Sequence, residues 1–177
     1  MMLETTLLET VSFADFEIRK FEALKFSNRS AVRRLSLLDE IPKFVDPNVQ
    51  QFWKLYDDVN PSFKINFPDA ERDERRRFMR CPFYVAVREF AVGGLWVDPD
   101  DKVAHMHVIV EQSMRGKGVG SALLSQFEKD AQGKYEILSC GWEADRHTSA
   151  SKLFMRAGYG VVLRPYAGNA KKSLSVR

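Results

Sequence analysis

The chain reads as a single mixed α/β domain, and three observations predict it. Between Phe83 and Val110 apolar residues come in short β-branched blocks broken by turn residues, the pattern of strands. After Gly120 they return at helical spacing, with Leu123, Leu124 and Phe127 on one face. The length, 177 residues, supports one self-sufficient core but not two ordinary domains. No internal repeat, low-complexity tract or linker divides it.

The first third is expected to be mostly helical. Glu4 to Val11 is a short β-like run. Ser12, with Asp15 three residues on, then reads as the capped start of a helix in which Phe13, Phe16, Phe21 and Leu24 recur to about Phe26. "SNRSAVRRLSLLDE" predicts a second helix, with Val32, Leu35 and Leu38 on one face. Asp46 before Pro47 is a cap followed by the residue best suited to a first helical turn, so "DPNVQQFWKLYDD" predicts a third.

The middle predicts an antiparallel meander: "FYVAVREF" from Phe83, "VGGLWV" from Val92, a turn at Asp98 to Asp101, and "VAHMHVIVE". A helix to about Gly133 follows, then a strand over "YEILSCGW", a short helix over "HTSASKLFMRAG" closed by Gly158, and a last long strand over "YGVVLRPY". The tail "NAKKSLSVR" reads as a basic disordered end or a final strand.

Composition narrows the function classes. No segment approaches the roughly 18 uninterrupted apolar residues of a membrane span. The N-terminus lacks the basic and apolar regions of an export signal, so the expected compartment is the cytoplasm. Cys81 and Cys140 lie far apart, and with three histidines they form no metal-ligand spacing. No metal is expected. A net charge of +3 suits an acidic ligand without the clustered excess of nucleic-acid binders.

The informative stretch is "VIVEQSMRGKGVGSALLSQFEKD", Val108 to Asp130, where a strand passes through Gly116, Gly118 and Gly120 into a helix. The first N–H groups of a helix lack internal partners and carry the positive end of its dipole, so a glycine-rich approach forms an anion cradle. Arg115 to Gly120 would supply the amides, with Arg115 and Lys117 at the rim. The bland alternative is a tight connection with solvated cations. A Walker A loop is excluded, because Lys117 precedes glycine and Glu111 stands where its first glycine belongs. A dinucleotide fingerprint is excluded because Ser121 and Leu123 stand where its third glycine belongs.

Arg115, Gly118 and Gly120 match the Arg/Gln-x-x-Gly-x-Gly/Ala signature of the GNAT superfamily of acyl-CoA N-acyltransferases, which this chain resembles over about residues 83–166. "HTSASKLFMRAGY" is similar to that family's fourth helix, with His147, Ala150, Leu153, Phe154, Gly158 and Tyr159 at its marked positions. The resemblance implies a central mixed sheet of about six to seven strands, four or more flanking helices, and splayed parallel fourth and fifth strands. It implies acetyl-CoA bound in that opening. Val108, Ile109 and Val110 would pair with pantetheine, a carbonyl of Val108 or Val110 serving the thioester or cofactor. Arg115, Gly116, Lys117, Gly118, Val119, Gly120 and Ser121 would hold the pyrophosphate, with His147 and Phe154 alongside. A primary amine would then attack the thioester directly.

Two positions depart from the family pattern. Its fourth-helix tyrosine is Phe154 here, which cannot donate a proton, leaving Tyr159 or Tyr166 as substitutes. Its asparagine is His147. The base candidates are His107, Glu111 and Glu89. His105 and His107 share a strand face, but they stand one residue out of phase with the paired histidines of some family members, and a one-residue slip reverses the face. Without a bulge they face packing. Two other features have plain readings beside functional ones. The run from Glu71 to Arg80 reads first as a salt-bridged helical surface, and Trp53, Trp96 and Trp142 as packing.

These readings converge on an N-acetyltransferase acting on a small-molecule or protein amine, monomeric or homodimeric, without membrane or nucleic-acid partners. The alternatives are a silent acyl-CoA-binding module and an acylase of aminoacyl-tRNA.

Overall fold

The computed structural model describes residues 2–3, 5–23, 43–59, 81–142 and 148–174. Eight strands form one sheet: β1 Leu7–Ser12, β2 Glu17–Phe21, β3 Phe83–Val87, β4 Ala91–Asp100, β5 Val103–Val110, β6 Ile137–Trp142, β7 Gly160–Arg164 and β8 Ala167–Ser173. Their order across it is β1-β2-β3-β4-β5-β6-β8-β7. Three helices are described: α1 Pro47–Val59, α2 Val119–Ala131 and α3 Thr148–Arg156. A two-residue parallel pair joins Met2–Leu3 to Lys43–Phe44. The architecture is the expected mixed α/β sheet, with a larger strand count and fewer described helices.

Both sheet faces are covered over the central strands. One apolar cluster joins Tyr84, Ala86, Leu95, Val97, Ala104 and Met106 to α2 and to Phe154 of α3. The other joins Phe83, Val85, Trp96 and Ile109 to Val49, Phe52, Trp53 and Tyr56 of α1. Gly94 permits the second contact, since a Cβ there would lie 2.3 Å from the Phe52 ring. The α1 start is as expected: Asp46 Oδ1 accepts from the N–H groups of Asn48 (2.8 Å) and Val49 (3.3 Å).

The helix expected from Ser12 is not formed. Ser12 instead pairs with Glu17, and β2 runs antiparallel to β1. Ile18 and Phe21 are fully buried in opposite clusters. A strand covered on both faces can bury residues three apart, one on each side, and that spacing imitates a helix. Lys20 Nζ of β2 and the Tyr84 hydroxyl of β3 both donate to Asp130 Oδ2 (2.5 and 2.6 Å), fastening these two strands to the end of α2. The second predicted helix, with Val32, Leu35 and Leu38, and the arginine run lie outside the described residues.

The meander is present. The second strand reaches Asp100, and the turn shrinks to Asp101 and Lys102, Asp101 adopting φ 49°. The tail resolves as strand β8, seated between β6 and β7. It holds β6 over six register pairs from Gly168↔Trp142 to Ser173↔Ile137.

Candidate active site

The site begins where two parallel strands part. β5 and β6 pair only at Val103↔Ile137, Ala104↔Leu138 and His105↔Ser139. Beyond His105, β5 keeps its β4 neighbour up to Gly93↔Val110 but has none on the β6 side. The Glu111 N–H donates to Val92 O at 2.8 Å, which sets the alternation of hydrogen-bonded pairs along β4–β5. Pro99, paired with Ala104, falls on a non-bonded rung, where its missing N–H costs nothing. The N–H and C=O groups of Val108 and Val110, and the C=O of Met106 beyond the last paired rung, therefore face the gap. That opening matches the splayed pair the sequence implied.

At the head of the gap the chain turns into α2. Gly116 and Gly118 have φ of 77° and 87°, and a Cβ at either would meet nothing within 4 Å. Their glycine identity is conformational, since that region is strained for a side-chain-bearing residue. Gly120 is different: a Cβ there would approach Leu153 Cδ2 of α3 at 3.1 Å, so it permits helix–helix contact. Gly118 caps α2 without a side chain. The N–H groups of Arg115 and Lys117 are used by Gln112 O (3.3 Å) and Met114 O (3.4 Å). Among the described residues those of Gly116, Gly118, Val119, Gly120 and Ser121 have no acceptor. An open cluster of amide donors at the positive end of a 13-residue helix fits a diphosphate.

The Arg115 side chain turns inward as well as standing at the rim. Its Nε donates to Val110 O at 3.1 Å, tying the loop to the strand end and occupying that carbonyl. Val108 O is left as the acceptor deeper in the gap. Val119 is buried under the loop, and Ser121 and Lys117 are exposed. His147 lies outside the described residues.

The candidate acid–base residues do not converge. His107 lies flat on the Trp96 indole, centroids 5.0 Å apart and planes 7° apart, on the α1 face. No bulge interrupts β4–β5 there, so the ring keeps the face that the strand register gives it. Glu111 ends β5, and its Oε2 accepts the Ser113 hydroxyl at 2.6 Å. Tyr159 is on the opposite face, buried, with its hydroxyl directed to Met106 Sδ at 3.8 Å. Burial and the neighbouring Glu128 carboxylate push its phenol far above the ordinary range. Phe154 stacks on Trp142, centroids 5.4 Å apart and planes 11° apart. Tyr166 is 77% exposed at the β7–β8 turn. Burial pushes the Cys140 thiol up to about 12, which leaves almost no thiolate at neutral pH.

His105, one strand step from His107 and on the same face, is exposed. Asp98 lies across from it on β4, Ser139 beside it on β6, and Lys171 beyond Ser139 on β8. No motif marks Ser139 or Lys171 in the sequence. The available signal was alternation in "AGNAKKS", where small Gly168 and Ala170 bury between exposed Asn169 and Lys171. Among the described residues there is no cluster of metal-ligating side chains and no helix long and apolar enough to cross a membrane.

Comparisons agree with this geometry. Residues 52–159 match the model of a family described as acetyltransferase (GNAT). An N-acetyltransferase from Staphylococcus aureus Mu50 is similar in fold, with TM-score 0.51 and 16% identity over 69% of this chain and 90% of that one. An IAA acetyltransferase from Bacillus cereus ATCC 14579 gives 0.50 and 18% identity over 65% and 92%. A Salmonella typhimurium protein solved with its cofactor acetyl-CoA gives 0.47 and 17% over 54% of this chain, which spans only 66% of that protein's length. No curated protein matches the chain.

Proposed function

The chain belongs to the GNAT acetyltransferase family, and from that premise we infer that it transfers an acetyl group from acetyl-CoA to a primary amine in a ternary complex. The observation that carries this reading is the one-sided stretch of β5 leading into unoccupied amides at the start of α2. A diphosphate on those amides directs an extended pantetheine down the gap beside Met106, Val108 and Val110. From Val110 to Met106 is four residues, roughly 13 Å of strand. The thioester then lies near the point where β5 and β6 meet.

The reaction exchanges a C–S bond for a C–N bond. The acceptor ammonium loses a proton, its nitrogen attacks the thioester carbon, and the thiolate leaves as the amide forms and the second nitrogen proton departs. This chain's contribution is mainly alignment. The Val108 N–H faces the gap and is free to donate to the thioester oxygen. Phe154 gives no proton, so the thiolate takes one from water or from another donor. Cys140, protonated and buried, argues for direct transfer over a covalent enzyme intermediate. His107, Glu111 and Tyr159 remain catalytic candidates, to which exposure adds His105.

Calorimetry with acetyl-CoA, followed by mass spectrometry of an amine panel, tests the reading. Binding and a gain of one acetyl group are expected, and Cys140→Ala retains transfer. Binding without turnover on any amine would identify a silent coenzyme-binding module.

A further inference from the structure

We propose that the acceptor is a small amine carrying a carboxylate, bound across the sheet by a row of side chains where β5 and β6 part. The inference rests on the transferase reading above and names its acceptor class. Register places Asp98, His105, Ser139 and Lys171 side by side on β4, β5, β6 and β8. Directly paired residues point to the same face, and this face is the one that carries Trp96 and His107.

The surface around the row is lopsided in charge, with Asp98 half-buried, His105 and Lys171 exposed, and Ser139 buried between them. α1 covers this face over β3 and β4, but no described helix covers it over β6, β8 and β7. Gly141, Asn169, Lys171, Gly160, Val162 and Arg164 are exposed there. On β6, β8 and β7 this face presents the cations Lys171 and Arg164 and no acid. At the other end of the row stands Asp98. A negative and a positive group thus flank the last paired rung, the arrangement that orients a molecule with an ammonium at one end and an anion at the other.

The parts divide simply. The acceptor nitrogen sits over His105, which takes its proton, and Asp98 stabilises the imidazolium that results. Lys171 holds the carboxylate, and the small, buried Ser139 leaves room between them. Two strand spacings, about 10 Å, separate the His105 and Lys171 backbones. The flexible four-carbon lysine stem shortens that span to suit a compact amino acid.

The test compares amino acids with their decarboxylated amines, lysine against cadaverine and phenylalanine against phenethylamine, at saturating acetyl-CoA. The carboxylated member is expected to win in kcat/KM by about five-fold, the upper end for one exposed ion pair. Lys171→Met should collapse that ratio toward one by raising KM for the carboxylated member, and Lys171→Arg should restore it. A ratio at or below one in the wild-type enzyme, or one unmoved by Lys171→Met, overturns the proposal while leaving the transferase reading standing. Absence of acetyl-CoA binding in calorimetry, with no transfer to any amine, removes both.

Discussion

β5 is two strands in one. From Val103 to His105 it is paired on both sides; from Met106 to Val110 it is paired on one. Residue type does not separate the halves, since both mix β-branched residues with histidine. What separates them is where β6 goes. The lower half is ordinary sheet interior, with every backbone group satisfied by a neighbour. The upper half exposes alternate N–H and C=O groups along an open gap, a template for an extended ligand. One strand can therefore anchor the fold and present a binding edge, because its two rows of hydrogen-bonding groups point in opposite directions.

The largest effect should come from proline placed on either row. Ile109→Pro removes a rung to β4 and should cost about 3 kcal/mol or more, read from urea denaturation. Val108→Pro removes an N–H facing the gap instead of a rung, together with some of the Val108 side-chain packing. It should cost far less stability yet weaken acetyl-CoA binding about ten-fold, the worth of one hydrogen bond. Equal stability losses would mean the two rows have been assigned to the wrong sides.

A second, smaller contrast separates the loop glycines. Gly118→Ala should lose about 1–2 kcal/mol through its φ of 87°, and acetyl-CoA affinity with it as the loop shifts. Gly120→Ala should lose about 1 kcal/mol by crowding Leu153, and Leu153→Ala should relieve that loss. A double-mutant cycle reports the coupling, and the same second substitution should not relieve Gly118→Ala.

The smallest effect concerns the anchor at the far end of α2. Burial raises the Asp130 carboxyl, but the hydrogen bonds from Lys20 and Tyr84 outweigh it and hold the group below its ordinary 3.8. A depressed carboxyl contributes stability that is complete above that value and is lost as pH falls through the lower, folded one. Tyr84→Phe should cost about 1 kcal/mol at neutral pH. Because one stabilising donor is gone, acid unfolding should begin at higher pH than in the wild-type protein. Thermal melts between neutral pH and pH 3 would detect it, and superimposable acid limbs would contradict it.

Local chemistry made much of this legible in advance. The Asp46–Pro47 start of α1, the meander from Phe83, the glycine turn into α2 and the Gly158 stop after α3 each depend on a few adjacent residues, so they could be read in line. The β2 strand could not. Its Phe16, Ile18 and Phe21 spacing has meaning only once both faces of the sheet are known to be covered. The tail could not either, because β8 is defined by a slot between β6 and β7 that no local pattern announces.

For the site the division is the same. The sequence by itself determined the glycine turn into a helix, since glycines before a helix need no distant partner to leave its first N–H groups open. It also determined that Phe154 cannot act as an acid. Only the tertiary structure decided that Gly120 serves packing, that Arg115 holds the Val110 carbonyl, that His107 lies against Trp96, and that Lys171 joins a row with His105 from more than sixty positions away. The physical reason is range. Backbone conformation is set by neighbours along the chain, whereas strand register brings together side chains that sequence separation keeps apart.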